Sequence, residues 1–125
     1  MIKLLKSRVC NSKEQDLINE VGIEPGNAYM IYEDNTLVGC IEYRMVSDSH
    51  CHIDYIHTLK AYRGRGYGKS VINSLLDEGY YITGDSVIDS IGFWLKVGAE
   101  FEECVDDANI AMYTETNSCI PFIIE

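Results

Sequence analysis

Residues 63–69 read Arg-Gly-Arg-Gly-Tyr-Gly-Lys, and the interpretation of the whole chain starts from this glycine-rich segment. Before it, residues 53–59 alternate in a period-two pattern and are rich in β-forming types, which predicts a strand. After it, the apolar residues between positions 71 and 76 have the spacing of one helical face, and Gly79 suits a helix C-terminus. The segment therefore lies at a predicted strand-to-helix junction.

Glycines at such a junction let the backbone turn sharply and approach a ligand closely. The first amides of a helix have no partners inside the helix, so they can donate hydrogen bonds to an anion. Arg63, Arg65 and Lys69 add positive charge. These features predict a diphosphate-binding site, and the competing interpretation is a purely structural turn with exposed basic residues.

Two well-known phosphate motifs do not fit this segment. Gly68-Lys69-Ser70 matches the end of a Walker loop, but Arg63 stands where that motif needs its first glycine. A dinucleotide fingerprint needs Gly-x-Gly-x-x-Gly, whereas this chain has glycines at alternate positions 64, 66 and 68.

A third pattern does fit. Arg63-x-x-Gly66-x-Gly68 resembles the Arg/Gln-x-x-Gly-x-Gly/Ala signature of the GNAT family of N-acetyltransferases. Residues 93–99, Phe-Trp-Leu-Lys-Val-Gly-Ala, resemble the family's Phe-Tyr-x-x-x-Gly-Phe segment, in the expected order and at the expected separation. We therefore identify the chain as resembling the GNAT family from about Tyr29 to Tyr113.

The resemblance and the sequence pattern together imply the fold class. We expect an α/β (α+β) fold with a mixed, mostly antiparallel sheet, a central βαβ unit and helices on both faces, forming a single GNAT-like acetyltransferase domain over residues 1–125. The predicted strands cover residues 2–9, 28–33, 37–46, 53–59, 80–83, 99–105 and 110–116, with residues 120–124 as an extension of the last hairpin. Ser12 and Gln15 have capping-box spacing at the start of a predicted helix over residues 12–21. Residues 25–27, 47–50 and 106–109 are predicted turns or loops, and residues 84–86 a turn that caps a helix ending at Val97.

The resemblance also implies which residues bind acetyl-CoA, the expected co-substrate. Residues 53–59 and 80–83 would form two strands that splay apart around the pantetheine arm. Arg63 would open the pyrophosphate loop. The implied cofactor-binding residues are Ile56, His57 and Thr58 through their backbone, then Arg63, Gly64, Arg65, Gly66, Tyr67, Gly68 and Lys69, and finally Trp94.

The implied reaction is direct attack of a primary amine on the acetyl thioester in a ternary complex. Asp54 is the candidate general base, because many members carry a glutamate at this place on the strand, and a structural carboxylate is the alternative. His57 is a weaker candidate base, and so is His52. Asp85 could contact the amine, with a helix N-cap as the alternative role.

Two departures from the family leave a second hypothesis open. Trp94 stands where many members have a tyrosine that protonates the departing thiolate, and Val87 stands where many have an asparagine that contacts the cofactor. The indole N–H donates hydrogen bonds but is not a usable acid. The alternative function is therefore an acyl-CoA-binding module with a regulatory or interaction role, and a more remote one is nucleotide binding.

Composition limits the remaining possibilities. Ten basic and twenty acidic residues give a net charge of −10, which argues against nucleic-acid binding and suits a cationic acceptor, a small-molecule or peptide amine. The alternative explanation is that the negative charge only keeps a small protein in solution. We expect no membrane association, because no apolar run is long enough to span a bilayer. Five cysteines without metal-type spacing predict reduced thiols, no metal site and a cytoplasmic location. A homodimer is expected from family habit alone.

Overall fold

The computed structural model describes residues 2–6, 11–22, 28–102, 106–116 and 118–125. In these ranges the chain forms seven strands: β1 (Ile2–Lys6), β2 (Ala28–Glu33), β3 (Thr36–Met45), β4 (His50–Thr58), β5 (Tyr81–Ser86), β6 (Glu100–Phe101) and β7 (Ile120–Ile124). The helices of the same ranges are α1 (Ser12–Val21), α2 (Tyr67–Asp77), α3 (Ile91–Lys96) and α4 (Asp107–Thr116). None of these helices is long and apolar enough to cross a membrane.

The strands form one mixed sheet in the order β1-β2-β3-β4-β5-β7-β6. β4 and β5 are neighbours in the sheet and are joined along the chain by α2, which gives the predicted βαβ unit. The predicted α/β (α+β) fold class with a mostly antiparallel sheet is confirmed. The chain divides into two compact units, Met1–Arg44 with Ile53–Ser74 and Met45–His52 with Leu75–Glu125. That residues 1–125 act as a single domain stays a prediction.

The first unit is built around an antiparallel meander. β1 pairs with β2, and β2 pairs with β3 across a turn in which Asp34 adopts a left-handed φ of 52°. Helix α1 contributes Leu17 and Ile18 to a buried cluster that also contains Met30. Burying a side chain of this size contributes roughly 1.5–3 kcal/mol, so the cluster is sufficient to hold α1 on these strands.

The second unit is centred on β7. This strand pairs antiparallel with β5 on one edge and with β6 on the other. Its Phe122 ring stacks on Trp94 of α3 at a centroid distance of 4.2 Å. A second buried cluster joins Ile91 and Tyr113 to Ile120. Alternate residues of β7 are buried, as expected for a strand that uses one face for its core.

Helix α1 has the predicted bounds but a different N-cap. Asn11, not Ser12, caps the helix, because its side-chain oxygen accepts a hydrogen bond from the Glu14 backbone amide at 2.9 Å. Both residue types are good caps, so the sequence pattern alone could not fix the register. Gly22 ends the helix in the left-handed region with a φ of 75°.

The prediction that residues 84–86 form a turn and helix cap is wrong. These residues continue β5, and Gly84 and Ser86 pair with Phe122 and Ile120 of β7. The helix before Val97 starts only at Ile91, after a 3-10 turn over Ile88–Ser90. Asp85 therefore lies on a strand and caps no helix. Glycine, aspartate and serine are common turn formers, and here the long-range pairing with β7 overrides that local preference.

The predicted strand over residues 110–116 is also wrong, because this stretch forms most of α4. Asp106 starts the helix: its side chain accepts from the Asn109 amide at 2.9 Å, and its carbonyl accepts from the Ile110 amide at 2.9 Å. We read this aspartate as part of a turn, whereas it is a helix cap. The predicted strand over 99–105 is observed only at Glu100–Phe101, and residues 103–105 lie outside the described part.

The remaining differences are small. β4 begins at His50, which we placed in a loop. Residues 7–9 of the predicted first strand and the predicted turn at 25–27 lie outside the described residues.

The cap of α1 yields a direct test. We expect Asn11→Ala to lower the free energy of unfolding by about 1 kcal/mol, because the Glu14 amide loses its partner. Ser12→Ala is the matched control and should change stability by less than about 0.5 kcal/mol. Urea unfolding followed by circular dichroism measures both, and a larger loss in the serine variant would contradict the assignment.

Candidate functional site

The glycine-rich loop connects the end of β4 to α2 through a 3-10 turn over Lys60–Tyr62. Gly64 and Gly66 have φ values of 78° and 83°, in the left-handed region that other residues adopt only at a cost. A Cβ added to either glycine would meet no atom within 4 Å. The backbone conformation therefore requires glycine at both positions, and the space beside them is open.

Helix α2 begins at Tyr67, within the glycine-rich segment of residues 63–69. The Gly66 carbonyl accepts hydrogen bonds from the amide and the hydroxyl of Ser70, both at 2.9 Å. Tyr67, Gly68 and Lys69 lie in the first turn of α2, so their amides have no carbonyl partner within the helix. The helix dipole adds a partial positive charge here. This end of the helix suits a phosphate group.

The basic side chains of the loop have different surroundings. The Arg63 Nε donates to the Thr58 carbonyl at 2.9 Å, which ties the loop to the end of β4. The Arg65 guanidinium lies 5.5 Å from the centre of the Tyr62 ring, a cation–π distance. Lys69 is exposed in the first turn of α2. Arg65 and Lys69 therefore keep their charged groups at the surface, while Arg63 supports the backbone.

The backbone of β4 has a defined orientation where it approaches the loop. The Leu59 amide donates to the Val38 carbonyl of β3 at 2.8 Å. Because successive strand residues point their backbone groups to opposite sides, His57 also faces β3, while Ile56 and Thr58 face away from it. The predicted pantetheine contacts of these three residues stay predictions, and the orientation favours Ile56 and Thr58.

Gly39 of β3 is a residue that the sequence reasoning missed. A Cβ at this position would overlap the His57 carbonyl oxygen, so β3 and β4 approach too closely for a side chain. The β2–β3 register shifts between Ile31 and Tyr32, next to this contact. A glycine inside a strand pattern is the available signal for a bulge or a close backbone approach.

His57 is half-buried, and its ring lies 6.2 Å from the Tyr55 ring. Burial lowers the pKa of His57, and the neighbouring Arg63 charge lowers this pKa further. The imidazole is therefore neutral at neutral pH. A neutral imidazole can accept a proton, so the candidate base role of His57 is chemically open.

Asp54, the other candidate base, lies on the same strand. Its Oδ2 is 3.5 Å from the Arg44 Nε, and its side chain is 33% exposed. The carboxylate thus has a basic neighbour on β3 rather than an apolar pocket. This arrangement agrees with the structural role that we kept as the alternative.

Trp94 lies in the core of the second unit. It is 5% exposed, with its ring stacked on Phe122 and 4.9 Å from Phe93 in an edge-on arrangement. Its predicted contact with the cofactor stays a prediction, and the burial shows that the indole has a packing role. Val87, in contrast, is 53% exposed.

A polar cluster that sequence reasoning did not assemble lies on β4 and β5 of the second unit. The Thr83 hydroxyl oxygen is 2.6 Å from His50 Nε2 and 2.8 Å from His52 Nδ1. The other nitrogen of His52, Nε2, is 4.0 Å from the Asp85 carboxylate. His50 and His52 are two residues apart, and residues two apart on one strand share a face. The sequence analysis missed this because it assigned His50 to a loop.

The cysteines of the described ranges are free thiols, with Cys40 and Cys51 buried and Cys119 exposed. Burial raises the pKa of Cys40 to about 11, with nearby Glu42 adding to the effect, so this thiol is unreactive. In the described part of the chain, no group of three or more His, Cys, Asp or Glu residues is arranged to hold a metal ion.

A strand, a left-handed glycine loop and a helix N-terminus together form a site that suits a phosphate group. The model of the acetyltransferase (GNAT) family matches residues 6–99, which is most of the chain. The chain belongs to the GNAT family. No curated protein sequence matches it.

Solved structures confirm the fold. A GNAT family acetyltransferase from Elizabethkingia anophelis with acetyl-CoA bound has a TM-score of 0.64 and 13% identity, over all of this chain and 97% of that one. N-acetylglutamate synthase from Neisseria gonorrhoeae, complexed with coenzyme A and N-acetyl-glutamate, has a TM-score of 0.64 and 11% identity over 99% of this chain. This chain spans only 35% of that synthase. An Arabidopsis thaliana protein in complex with the bisubstrate analogue CoA-Ac-MVNAL has a TM-score of 0.59 and 22% identity, over 93% of this chain and 82% of that one.

The close approach at Gly39 predicts a stability effect. We expect Gly39→Ala to destabilise the protein by about 1–3 kcal/mol, because the methyl group would force β3 and β4 apart. Gly92→Ala is the matched control: its Cβ meets open space on α3, and alanine should raise stability by up to about 1 kcal/mol. Chemical denaturation measures both, and equal effects would contradict the close approach.

The lowered pKa of His57 predicts a pH dependence of stability. A lowered pKa means that the unfolded chain binds the proton more tightly, so protonation favours unfolding. The contribution is present above the ordinary histidine pKa of about 6.5 and is lost as the pH falls below it. We expect His57→Gln to lose less unfolding free energy than the wild type between about pH 7.5 and 5.5. Urea titrations at both pH values test this, and identical losses would contradict it.

Proposed function

We propose that this protein is an N-acetyltransferase that moves the acetyl group of acetyl-CoA to a primary amine by direct attack in a ternary complex. The observation that carries the proposal is the loop of residues 63–69, whose left-handed glycines lead into the exposed N-terminus of α2. The loop lies within the matched GNAT region, and its amides and basic side chains suit a pyrophosphate.

The geometry of the loop supports binding of the diphosphate of CoA. The spaces beside Gly64 and Gly66 are open, so phosphate oxygens can approach the backbone. The amides of residues 64–69 would bind these oxygens, and Arg65 and Lys69 would add charge at the surface. Arg63 would act indirectly, through its hydrogen bond to the Thr58 carbonyl. Ile56 presents its backbone groups and Thr58 its amide on the side away from β3, where they would bind the pantetheine arm.

Acetyl-CoA, when bound, supplies an activated acetyl thioester. The acceptor amine attacks this thioester only in its neutral form. A base is needed because alkyl amines are protonated at neutral pH. Asp54 is the candidate base implied by the resemblance, and His57 and His52 are weaker candidates because an imidazole can accept a proton. His57 is neutral for the reasons given above, whereas Asp54 lies beside Arg44.

The proposed acceptor is a small-molecule or peptide amine. Two structural relatives were solved with N-acetyl-glutamate and with an analogue that includes the peptide MVNAL, which makes an amino acid and a peptide N-terminus reasonable classes to test. The net charge of −10 favours a cationic acceptor over nucleic acid. Homodimerisation and a cytoplasmic location stay predictions.

A second candidate function is an acyl-CoA-binding module with little or no catalysis. Val87 and Trp94 support it, because the first has no polar group and the second is a buried indole that cannot serve as an acid. A protein of this kind would keep the phosphate loop and lose turnover.

A thiol-release assay decides between the two functions. Acetyl-CoA would be incubated with the protein and a panel that includes glutamate, spermidine and the peptide MVNAL, with calorimetric binding in parallel. Binding together with release of CoA thiol is the result expected for an N-acetyltransferase. Binding without release across the panel would favour the binding module, and an absence of binding would contradict both.

The loop assignment predicts a selective effect of Gly66→Ala. We expect the KM for acetyl-CoA to rise at least about tenfold, a loss of about 1.4 kcal/mol, because the methyl group occupies the approach to the backbone amides. The left-handed φ also costs about 1–2 kcal/mol of stability. Gly22→Ala is the matched control, with a φ of 75° and open space at the end of α1. It should lose similar stability without changing the KM, and an equal KM change in both variants would contradict the assignment.

A further inference from the structure

The second unit has a groove that the proposed binding of CoA does not use. The groove lies at the end of the sheet, where β6 is the last strand in the described part of the chain. Its volume is about 300 Å³, at the lower end of the range for sites that bind small ligands. Its lining comes from residues 100–102 and 121–123, all of which belong to the second unit.

The two faces of β6 and β7 have different surroundings. Glu100 pairs with Ile123 and Phe101 pairs with Phe122, and residues paired across antiparallel strands share a face. The Phe122 ring stacks on Trp94, so helix α3 covers the face of the two phenylalanines. On the other face Glu100 is exposed and Ile123 is half-buried. Acidic and apolar side chains therefore meet on a face that solvent reaches.

Three carboxylates lie on this solvent-reached face. Glu100 and Glu102 are two residues apart, so they point to the same side about 6.6 Å apart along the strand, and both are exposed. In the described ranges, neither of these two carboxylates is hydrogen-bonded or ion-paired. Asp85 of β5 joins them, because it pairs with Pro121 of β7, and its side chain is 54% exposed. This end of the sheet is negatively charged and attracts a cation.

The outer edge of β6 also has backbone groups in position for pairing. The Glu102 amide donates to the Pro121 carbonyl at 3.1 Å, so the backbone groups of Glu102 point toward β7. Neighbouring residues of a strand point their backbone groups to opposite sides. The amide and the carbonyl of Phe101 therefore point away from β7. A sheet edge of this kind can accept an extended segment as an added strand.

Charge decides which segment fits this edge. If a second copy of β6 were added antiparallel about Phe101, Glu100 of each copy would lie opposite Glu102 of the other. Like charges directly opposite each other are destabilising, and each copy also carries a net charge of −10. An extended segment with basic residues at alternate positions has side chains at the same spacing as the two glutamates. Such a segment pairs opposite charges at both positions.

We propose that the β6 edge binds an extended basic segment of a partner protein as an added strand beside Phe101, with alternate lysine or arginine side chains on Glu100 and Glu102. Lysine and arginine combine an apolar stem with a charged end. The stems would pack on Pro121 and Ile123 in the groove, and the charged ends would lie at the carboxylates. The inference stands apart from the proposed acetyl transfer, because the segment binds without acetyl-CoA.

A defined peptide tests the proposal. The probe is Thr-Lys-Val-Lys-Thr, acetylated and amidated at its ends, and nitrogen-15 NMR of the backbone amides follows its binding without acetyl-CoA. We expect saturable binding with a Kd of about 1 mM or below. The shifts should centre on residues 100–102 and 121–123, and hydrogen exchange at the Phe101 amide should slow, because that amide gains a partner.

The spacing of the lysines is tested with a second peptide of the same composition. Thr-Lys-Lys-Val-Thr has the same charge, but its adjacent lysines point to opposite faces of an extended strand. Only one of them can then meet a glutamate of β6. We expect this peptide to bind at least about threefold more weakly than the alternating one.

Charge variants test the two glutamates. The double variant Glu100→Gln with Glu102→Gln removes both charges with little change of shape, and we expect it to bind the alternating peptide at least about fivefold more weakly. The dependence of Kd on salt should also become weaker. The matched control is Glu78→Gln with Glu115→Gln, because both residues are exposed and lie outside the groove. It should leave the Kd near that of the wild type, and circular dichroism checks that both variants fold.

Four results would overturn the inference. The first is an absence of saturable binding of the alternating peptide to the folded wild type. The second is equal affinity for the two peptides, and the third is a groove variant that binds as tightly as the control variant. The fourth is a dimer in sedimentation experiments whose Phe101 amide is protected without peptide, since this would assign the edge to a second copy.

Discussion

The left-handed backbone at Gly64 and Gly66 is the constraint on which the candidate site depends. Two positive φ values within three residues let the chain leave β4 and enter α2 with the first amides of the helix uncovered. A side chain at either position would add strain and fill the open space beside the loop. The sequence Arg-Gly-Arg-Gly-Tyr-Gly-Lys thus sets the local conformation and the anion-binding chemistry together.

The support for this loop comes from the strands behind it. The close approach at Gly39 places β3 against the His57 carbonyl, and the Leu59 amide is hydrogen-bonded to Val38. The end of β4 is therefore fixed before the loop begins, and Arg63 bonds the loop to Thr58. Arg63, which opens the family signature, acts here as a brace for the backbone, while Arg65 and Lys69 remain at the surface.

The sequence predicted the fold class, the junction at residues 63–69 and helix α1, because each has a strong local pattern. It failed at residues 84–86, where long-range pairing overrides turn preferences, and at residues 110–116, which form a helix that Asp106 caps. Gly84 and Ser86 look like turn residues until β7 pairs with them, and Tyr113 looks like a strand residue until it packs against Ile91 and Ile120.

The cluster of His50, His52 and Thr83 joins residues more than 30 positions apart, and only the packing of β4 beside β5 brings them together. The sequence named Asp54, His57 and His52 as candidate bases but not the contacts of each, because contacts between strands cannot be read from the chain.

The central claim is that the loop binds the pyrophosphate of acetyl-CoA. Calorimetric titration with acetyl-CoA and with S-acetylpantetheine tests it most directly. S-acetylpantetheine has the same thioester arm without phosphates. The account predicts saturable binding of acetyl-CoA and at least about tenfold weaker binding of S-acetylpantetheine, a difference of about 1.4 kcal/mol or more. The difference should shrink as salt is raised, because exposed charges are screened. Equal affinity for the two ligands, or no binding of acetyl-CoA, would contradict the account.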